Sequence, residues 1–391
     1  MFRRAVWICG VSDMEKLSTE RCSVILHTTI RDVERTDWDR LAHDVYMSHG
    51  WLQTIEETFI SPVDHRYFLI LADETLIGAA VCHIHYPTNG VFTLDDAIFG
   101  RFKGLAARLG LSILPSLICG PLRGYGQHFA FHEDLTCDQR QAVALNLFDA
   151  LEREAASRHL SISFNNVMAE ERELVQLLEQ KGYSRTINFP LNYLDIQWKS
   201  FDEYKKFLSK RKLVREINKN WKEGVSITQL EAVESCEDRL YQLLNDNYWK
   251  YNGKPLLVSS DFVGLCKKYL GENAVIYVAV KEGKIIGTTI LFHRQGIGYL
   301  TDVGIDHETA GNDFTYFNLT YYRPMADAIA MQIKRLYYGT LMYTMKSKRG
   351  CSTTEIYLYY KPRFFLLQVV VVPLFAIHLR FKSWFINRFH M

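Results

Sequence analysis

Residues 337–350, YYGTLMYTMKSKRG, set Lys346, Lys348 and Arg349 beside Gly350, just after a tyrosine-rich stretch that reads as a buried strand. Cations gathered where a strand runs out can grip an anion: lysine as a point charge, arginine as a planar fork for phosphate or carboxylate. Gly350 lets the backbone turn tightly behind them. A second basic group lies at residues 199–222, where nine Lys/Arg stand against three Asp/Glu. At about 100° per residue, Arg211, Arg215, Lys219 and Lys222 share one helix face, while Leu213, Val214, Ile217 and Trp221 share another. Ser200 and Glu203 have the spacing of a capping box, which starts a helix there. Both groups also fit a plainer reading, in which the cations solvate a turn and a helix face. Their local excess in a chain of net charge +2 favours an anionic partner.

The other chemistry-bearing residues are sparser. Trp249 and Tyr251 in NYWKYNGKP could form an aromatic wall or belong to a core. His83 and His85 share a strand face but have no nearby Cys or carboxylate, which suits a structural pair better than a metal site. Eight cysteines are scattered without a CxxC, which argues against zinc and iron–sulfur chemistry and suits a reducing compartment. With 391 residues, 48% hydrophobic and 23% charged, the chain has material for two cores and is not disordered. Its near-zero net charge excludes a dedicated nucleic-acid coat.

Two positions bear on location. The opening MFRRAVWICGVSDMEK has an apolar run of about seven residues before Asp13, short for a secretory signal, so a cytoplasmic protein is expected. At the other end, residues 364–391 hold an apolar run interrupted by Gln368 and Pro373, followed by RFKSWFINRF, which alternates aromatic and basic side chains. The run is short of the roughly 20 residues of a membrane span. It reads either as a last core element or as a contact with the inner membrane surface.

Segments 67–86 and 275–294 have the same layout of strand, acidic turn and second strand with glycine near its start. Setting Gly78 against Gly287 places Asp73-Glu74 near Lys281-Glu282, with one extra residue in the second copy. In the first half a strand candidate GVFTLDD, the run SLICG, a helix from about 138 to 158, the strand LSISFNNV and a helix ending near Gly182 follow. In the second, GIGYLTDVGI precedes a helix from about 314 to 334, the strand RLYYG and a closing strand TEIYLYY. This order indicates a duplicated α/β layered domain, each copy a mostly antiparallel sheet flanked by helices. The expected division is an extension over 1–23, domains over 24–197 and 198–362, and a terminal segment over 363–391.

FTYFNLTYYRPMADAIA, residues 314–330, followed by GTLMYTMKSKRG resembles the C-terminal signature of FemAB-like proteins of the GNAT N-acyltransferase superfamily, with Phe317, Leu319, Tyr321, Tyr322, Lys346, Arg349 and Gly350 at the matching positions. The basic segment with Arg215 is similar to the family's segment at the same relative place. The resemblance implies two tandem GNAT-like domains with the active cleft on the second, and the formation of amide bonds. Fem-type enzymes pass an amino acid from aminoacyl-tRNA to a peptidoglycan precursor, and relatives acylate small amines. The usual acetyl-CoA loop, Arg/Gln-x-x-Gly-x-Gly/Ala, is not matched by HRQGIGYL or by RGYGQH. The donor is then aminoacyl-tRNA, a carrier-protein thioester or an atypically held acyl-CoA, as a co-substrate with no other cofactor and no metal.

Acyl transfer to an amine needs a neutral nucleophile, a place for the oxyanion and tight positioning. With no Ser-His-Asp or Cys-His arrangement in view, direct attack by the amine is expected. On this resemblance Lys346 steadies donor phosphate or oxyanion. Asp302, in YLTDVGI, reads either as the group that orients or deprotonates the amine or as an ordinary strand-end aspartate. Arg211, Arg215, Lys219, Arg349 and Gly350 hold the donor. Trp249, Tyr251, Tyr321 and Tyr322 receive a small-molecule or peptide acceptor. A GNAT-fold binding or scaffold protein that has lost its chemistry is the alternative.

Overall fold

In a computed structural model, residues 5–8, 22–86, 95, 99, 102–364, 367–374, 376–377 and 380 are described. They form two compact units. One comprises the described residues up to Glu56, Ser61–Phe189 and those from Glu355 onward; the other comprises Glu57–Ile60 and Pro190–Thr354. The strand candidate GVFTLDD lies almost wholly outside the described residues.

The sheet of the first unit runs Ala5–Ile8, Cys22–His27, Val63–Ala72, Thr75–His85, Ser116–Cys119, Ser161–Met168, Ile356–Lys361, Ser184–Ile187, and Phe129–Phe131 adds to Thr75–His85. The sheet of the second runs Ser226–Leu230, Ala274–Lys281, Lys284–Arg294, Ile297–Ile305, Arg335–Tyr337, Leu191–Asp195, Ser352–Thr354. All the described pairings are antiparallel except one in each unit, Ser116–Cys119 with Ser161–Met168 and Ile297–Ile305 with Arg335–Tyr337. Helices cover the sheets. In the first unit Cys137–Ser157 starts at a capping box of Thr136 and Gln139 and buries Val143, Leu147, Phe148 and Leu151 on the sheet, each worth about 1.5–3 kcal/mol of apolar burial.

The duplication is visible residue by residue. Each central hairpin closes through a two-residue turn with positive φ at both positions, Asp73-Glu74 in one and Glu282-Gly283 in the other. The turns therefore correspond directly, and the extra residue expected in the second copy is absent. Each hairpin also carries a bulge at the same place: Gly78 pairs with Ile70 and Leu76 with Leu71, while Gly287 pairs with Ala279 and Ile285 with Val280. At both glycines a Cβ would collide with the covering layer, 2.3 Å from Val143 Cγ1 at Gly78 and 3.0 Å from Leu319 Cδ2 at Gly287. The glycine recurs because a helix side chain presses on the bulged strand there.

Two elements change sides relative to the sequence division. Leu191–Asp195, placed before the boundary at 197, pairs with Arg335–Tyr337 and Ser352–Thr354 in the second sheet. Ile356–Lys361, read as the closing strand of the second domain, pairs with Ser161–Met168 and Ser184–Ile187 in the first. Strand pairing is non-local, so the apolar pattern shows that these are strands but not which sheet receives them.

In both units the parallel pair is short. Beyond Cys119 and Phe164 in the first unit, and beyond Tyr299 and Tyr337 in the second, the two strands no longer pair. In the first unit the parting is filled by fully buried His128, whose Nε2 lies 2.7 Å from the Asn165 carbonyl and whose Nδ1 lies 3.0 Å from Glu171. Burial opposes a charge on this ring, but the Glu171 carboxylate outweighs it and raises His128 from 6.5 to about 9. Because the folded state holds the proton more tightly, this contribution is complete below pH 6.5 and is lost as pH rises through 9, amounting to about 3 kcal/mol. Urea titrations at pH 6 and pH 9.5 are expected to show that loss in the wild type and a flatter dependence in His128→Gln.

Candidate functional site

In the second unit the region around the parting strands is built by five segments: the two basic helices, the strand Ile297–Ile305, the helical run from Thr315 to Ala330, and the turn after Arg335–Tyr337. The basic segment is two helices, Phe201–Lys210 and Val214–Lys222, because Lys212 takes a left-handed φ of 59°. Ser200 caps the first by accepting from the Glu203 N–H. The second has an unusual inner face. Glu216 and Asn220, one turn apart, are buried, while Trp221 is 76% exposed. Glu216 and Asn220 take the inner face of this helix, so Trp221, one residue and about 100° beyond Asn220, turns outward. Arg211, Arg215, Lys219 and Lys222 are all exposed, with Arg211 stacked 3.8 Å over Phe207 and the Lys219 ammonium 5.6 Å from the centre of the Phe314 ring.

The helical run opens with Thr315–Phe317, widens to a π-turn over Asn318–Tyr322 and continues as Arg323–Ala330. Pro324 cannot donate to the Thr320 carbonyl, and its ring crowds the preceding turn, which accounts for the widening. The wide turn brings Phe317, Tyr321 and Tyr322 around one cation. The Arg349 guanidinium lies 3.7 Å over the Phe317 ring, 5.3 Å from Tyr321 and 5.7 Å from Tyr322. Arg349 is fully buried. Its Nη2 donates to Glu216 Oε2 at 2.5 Å and its Nη1 to the Met345 carbonyl at 2.8 Å, while the Tyr322 hydroxyl donates to the same Glu216 oxygen. The Arg349 carbonyl accepts from the Tyr204 hydroxyl at 3.0 Å. Gly350 has φ 96°, and a Cβ there would stand 3.1 Å from Phe207 and 3.5 Å from Trp198. Arg349 and Gly350 thus fasten both basic helices, one through Tyr204 and Phe207, the other through Glu216.

Lys346 is also inside, 3% exposed, on the short helix Tyr343–Ser347. Its ammonium donates to the carbonyls of Tyr338 at 2.7 Å, Gly339 at 3.3 Å and Thr340 at 3.0 Å. Burial lowers its pKa from 10.5 to about 8, with the Cys351 sulfur opposing, so it is mostly an ammonium at neutral pH. The turn it holds is bent hard: Gly339, Leu341 and Met342 all have positive φ, a conformation non-glycine residues adopt only when their surroundings enforce it. Asn192 helps enforce it, its Nδ2 donating to the Gly339 and Leu341 carbonyls. Lys346 and Arg349, expected to face an anion, both turn inward, because buried acceptors are within reach of their N–H groups.

The remaining candidates divide between wall and core. Asp302 is half-buried on the part of Ile297–Ile305 that continues past the parallel pair, directly after an irregularity in register with Lys284–Arg294, a feature that re-aims side chains beside active sites. It lies within the strand rather than at its end. Trp249 and Tyr251, on and just beside the last turn of Glu237–Asn252, are exposed. Tyr321 and Tyr322 are core residues instead of an open wall: Tyr321 stacks on Tyr338 with ring centres 4.7 Å apart, and Tyr322 is committed to Glu216. The buried Glu216 was not singled out from sequence, although it is the one acid on Val214–Lys222. In the first unit His83 and His85 lie 4.9 Å apart, and burial lowers both, His85 to about 4. Among the described residues no three His, Cys, Asp or Glu side chains could hold a metal ion.

Asp313 lies at the start of the helical run that opens at Thr315. Its Oδ1 accepts from the Thr315 N–H at 2.9 Å and from the Thr315 hydroxyl at 2.6 Å, and Lys281 lies 3.3 Å from its other oxygen. The Thr315 N–H and hydroxyl are thus already taken by a carboxylate, which is itself paired with Lys281.

Two mixed sheets flanked by helices, each with one parallel pair that parts, define a tandem GNAT-type fold. The chain belongs to the FemAB-like family, described as peptidoglycan biosynthesis/recognition, which matches residues 29–364. Among solved structures it is similar to FemX, with a TM-score of 0.59 and 12% identity over 88% of this chain and 98% of that one. It is also similar to a conserved protein of unknown function from Bacteroides thetaiotaomicron, with a TM-score of 0.50 and 13% identity over 86% of this chain and 98% of that one. A tandem GNAT protein from the clavulanic acid biosynthesis pathway matches with a TM-score of 0.49 and 10% identity over 88% of this chain and 99% of that one. No curated protein matches the sequence.

Proposed function

We propose that the protein is an N-acyltransferase that moves an aminoacyl group from tRNA to an amine acceptor. The observation that carries the reading is the exposed row of Arg211, Arg215 and Lys219, fastened from beneath by buried Arg349, beside a helix start whose anion position is already filled by Asp313. A row of cations suits several phosphates in series, and a blocked helix start disfavours a single pyrophosphate. Membership of the FemAB-like family supports an aminoacyl or acyl donor in general. A tRNA donor implies work in the cytoplasm.

In this reading the amine lone pair attacks the ester carbonyl carbon, the bond from that carbon to the terminal ribose oxygen breaks, and the ribose leaves as an alcohol. Asp302 takes the proton the amine gives up and returns it to the departing ribose oxygen. Backbone N–H groups where Ile297–Ile305 and Arg335–Tyr337 part steady the oxyanion. Lys346 acts as a positioning residue that fixes the turn at 338–340, and Trp249 with Tyr251 forms the wall for a small-molecule or peptide amine. Asp302→Asn tests the base: it should lower kcat while leaving charged-tRNA affinity unchanged.

Mixed aminoacyl-tRNA carrying labelled amino acids, offered with a panel of amine and peptide acceptors, tests the reaction itself. Label appearing in an acceptor in step with tRNA deacylation is expected; transfer from acyl-CoA or acyl carrier protein while charged tRNA stays intact would move the donor to a thioester. A non-catalytic binding protein is the second reading, favoured by the inward turn of Lys346 and Arg349. Charged-tRNA binding without any transfer would support it.

A further inference from the structure

Outside the second unit, two stretches of the first unit expose large apolar side chains side by side with cations. Around the helix Lys103–Arg108, Phe102, Leu105 and Leu109 are each more than half exposed. Along the C-terminal helix over 367–374 and its flanks, Phe364, Val369 and Ile377 are exposed as well. Single exposed apolar residues are ordinary, but six on two segments call for a cover.

The two stretches are joined. Leu367 and Val371, on the inner side of the C-terminal helix, form one small core with Ile113 and Tyr360, and Leu111 packs against it. Arg363 donates to the Ser112 carbonyl at 3.2 Å and the Pro115 carbonyl at 3.4 Å. The inner side of the C-terminal helix is thus fixed to the residues that directly follow Lys103–Arg108.

Charge singles out the partner. Residues 102–119 contain Lys103 and Arg108 and no acid, and residues 356–391 contain Lys361, Arg363, Arg380, Lys382 and Arg388 and no acid, in a chain with 44 Asp and Glu. Asp95, which contacts the first stretch, is buried and accepts from the Ser112 hydroxyl and the Ile113 N–H, and Lys361 is paired with Glu152 at 2.8 Å. Among the described residues no helix is long and apolar enough to cross a membrane. Exposed apolar side chains on stretches that carry Lys103, Arg108, Arg363 and Arg380 suit the boundary between headgroups and acyl chains of an anionic bilayer.

We infer that Lys103–Arg108 and the C-terminal helix together form a docking face that rests on an anionic lipid surface. The inference does not depend on the donor. Its test is flotation of the full chain with vesicles of phosphatidylcholine alone or with phosphatidylglycerol added, at low and at 0.5 M salt, using wild type and the exposed-site variant Leu105→Glu/Leu109→Glu. Expected are about tenfold stronger partition onto the anionic vesicles, weakening with salt, and about a tenfold loss in the variant, with its thermal melt unchanged. Equal partition of variant and wild type, no partition at all, or a lipid-free dimer abolished by the variant would each overturn it, the last by assigning the face to a second copy of the chain.

Discussion

Arg349→Ala is expected to destabilise the protein by about 3–5 kcal/mol, the cost of leaving a buried charge without its partner. Glu216, buried on Val214–Lys222, would lose its guanidinium, while Phe317 would lose the cation stacked on its ring. Arg349→Lys is expected to recover only part of this, because an ammonium cannot serve Glu216 and the Met345 carbonyl with the same fork. The double variant Arg349→Met/Glu216→Leu should recover more than either single change, since it removes both charges together. Urea denaturation of the four proteins measures this; a loss below about 1 kcal/mol in Arg349→Ala would place Arg349 outside the structural frame.

Arg215→Ala/Lys219→Ala has the opposite profile. Both side chains are exposed, and Lys219 reaches only the Phe314 ring, 5.6 Å away, so stability should stay within about 0.5 kcal/mol. Each charge-assisted contact to a phosphate is worth about 1.5–3 kcal/mol, so charged-tRNA affinity should fall at least tenfold per residue. Equilibrium binding and denaturation on one preparation separate the two effects: the Arg349 variant loses stability first and binding as a consequence, the ridge variant loses binding alone.

That division of labour was only half legible in the sequence. The hairpin repeat could be read because two-residue turns, alternating strands and Gly78 and Gly287 leave local marks. The basic ridge could be read because Arg215, Lys219 and Lys222 stay in phase on one helix. Trp221 is exposed because the polar Glu216 and Asn220, and not the apolar residues, mark the buried face of that helix. Lys346 and Arg349 were read as facing an anion because a cation in sequence carries no sign of whether it points in or out. The deciding partners are distant: Glu216 for Arg349, and for Lys346 three backbone carbonyls in a bent turn whose conformation no residue type announces. A sole acid in a helix of cations, Glu216, is the local signal that would have exposed the clamp. The exchange of Leu191–Asp195 and Ile356–Lys361 between sheets left no local mark.

The central claim is that a polyanionic aminoacyl donor lies along the ridge that the buried Arg349 clamp holds in place. Binding of charged tRNA across a salt series, by wild type and by Arg215→Ala/Lys219→Ala, tests it most directly. A steep fall of affinity with salt in the wild type, and a slope shallower by about two in the variant, is the expected result. A shallow wild-type slope, or identical slopes in the two proteins, would contradict it.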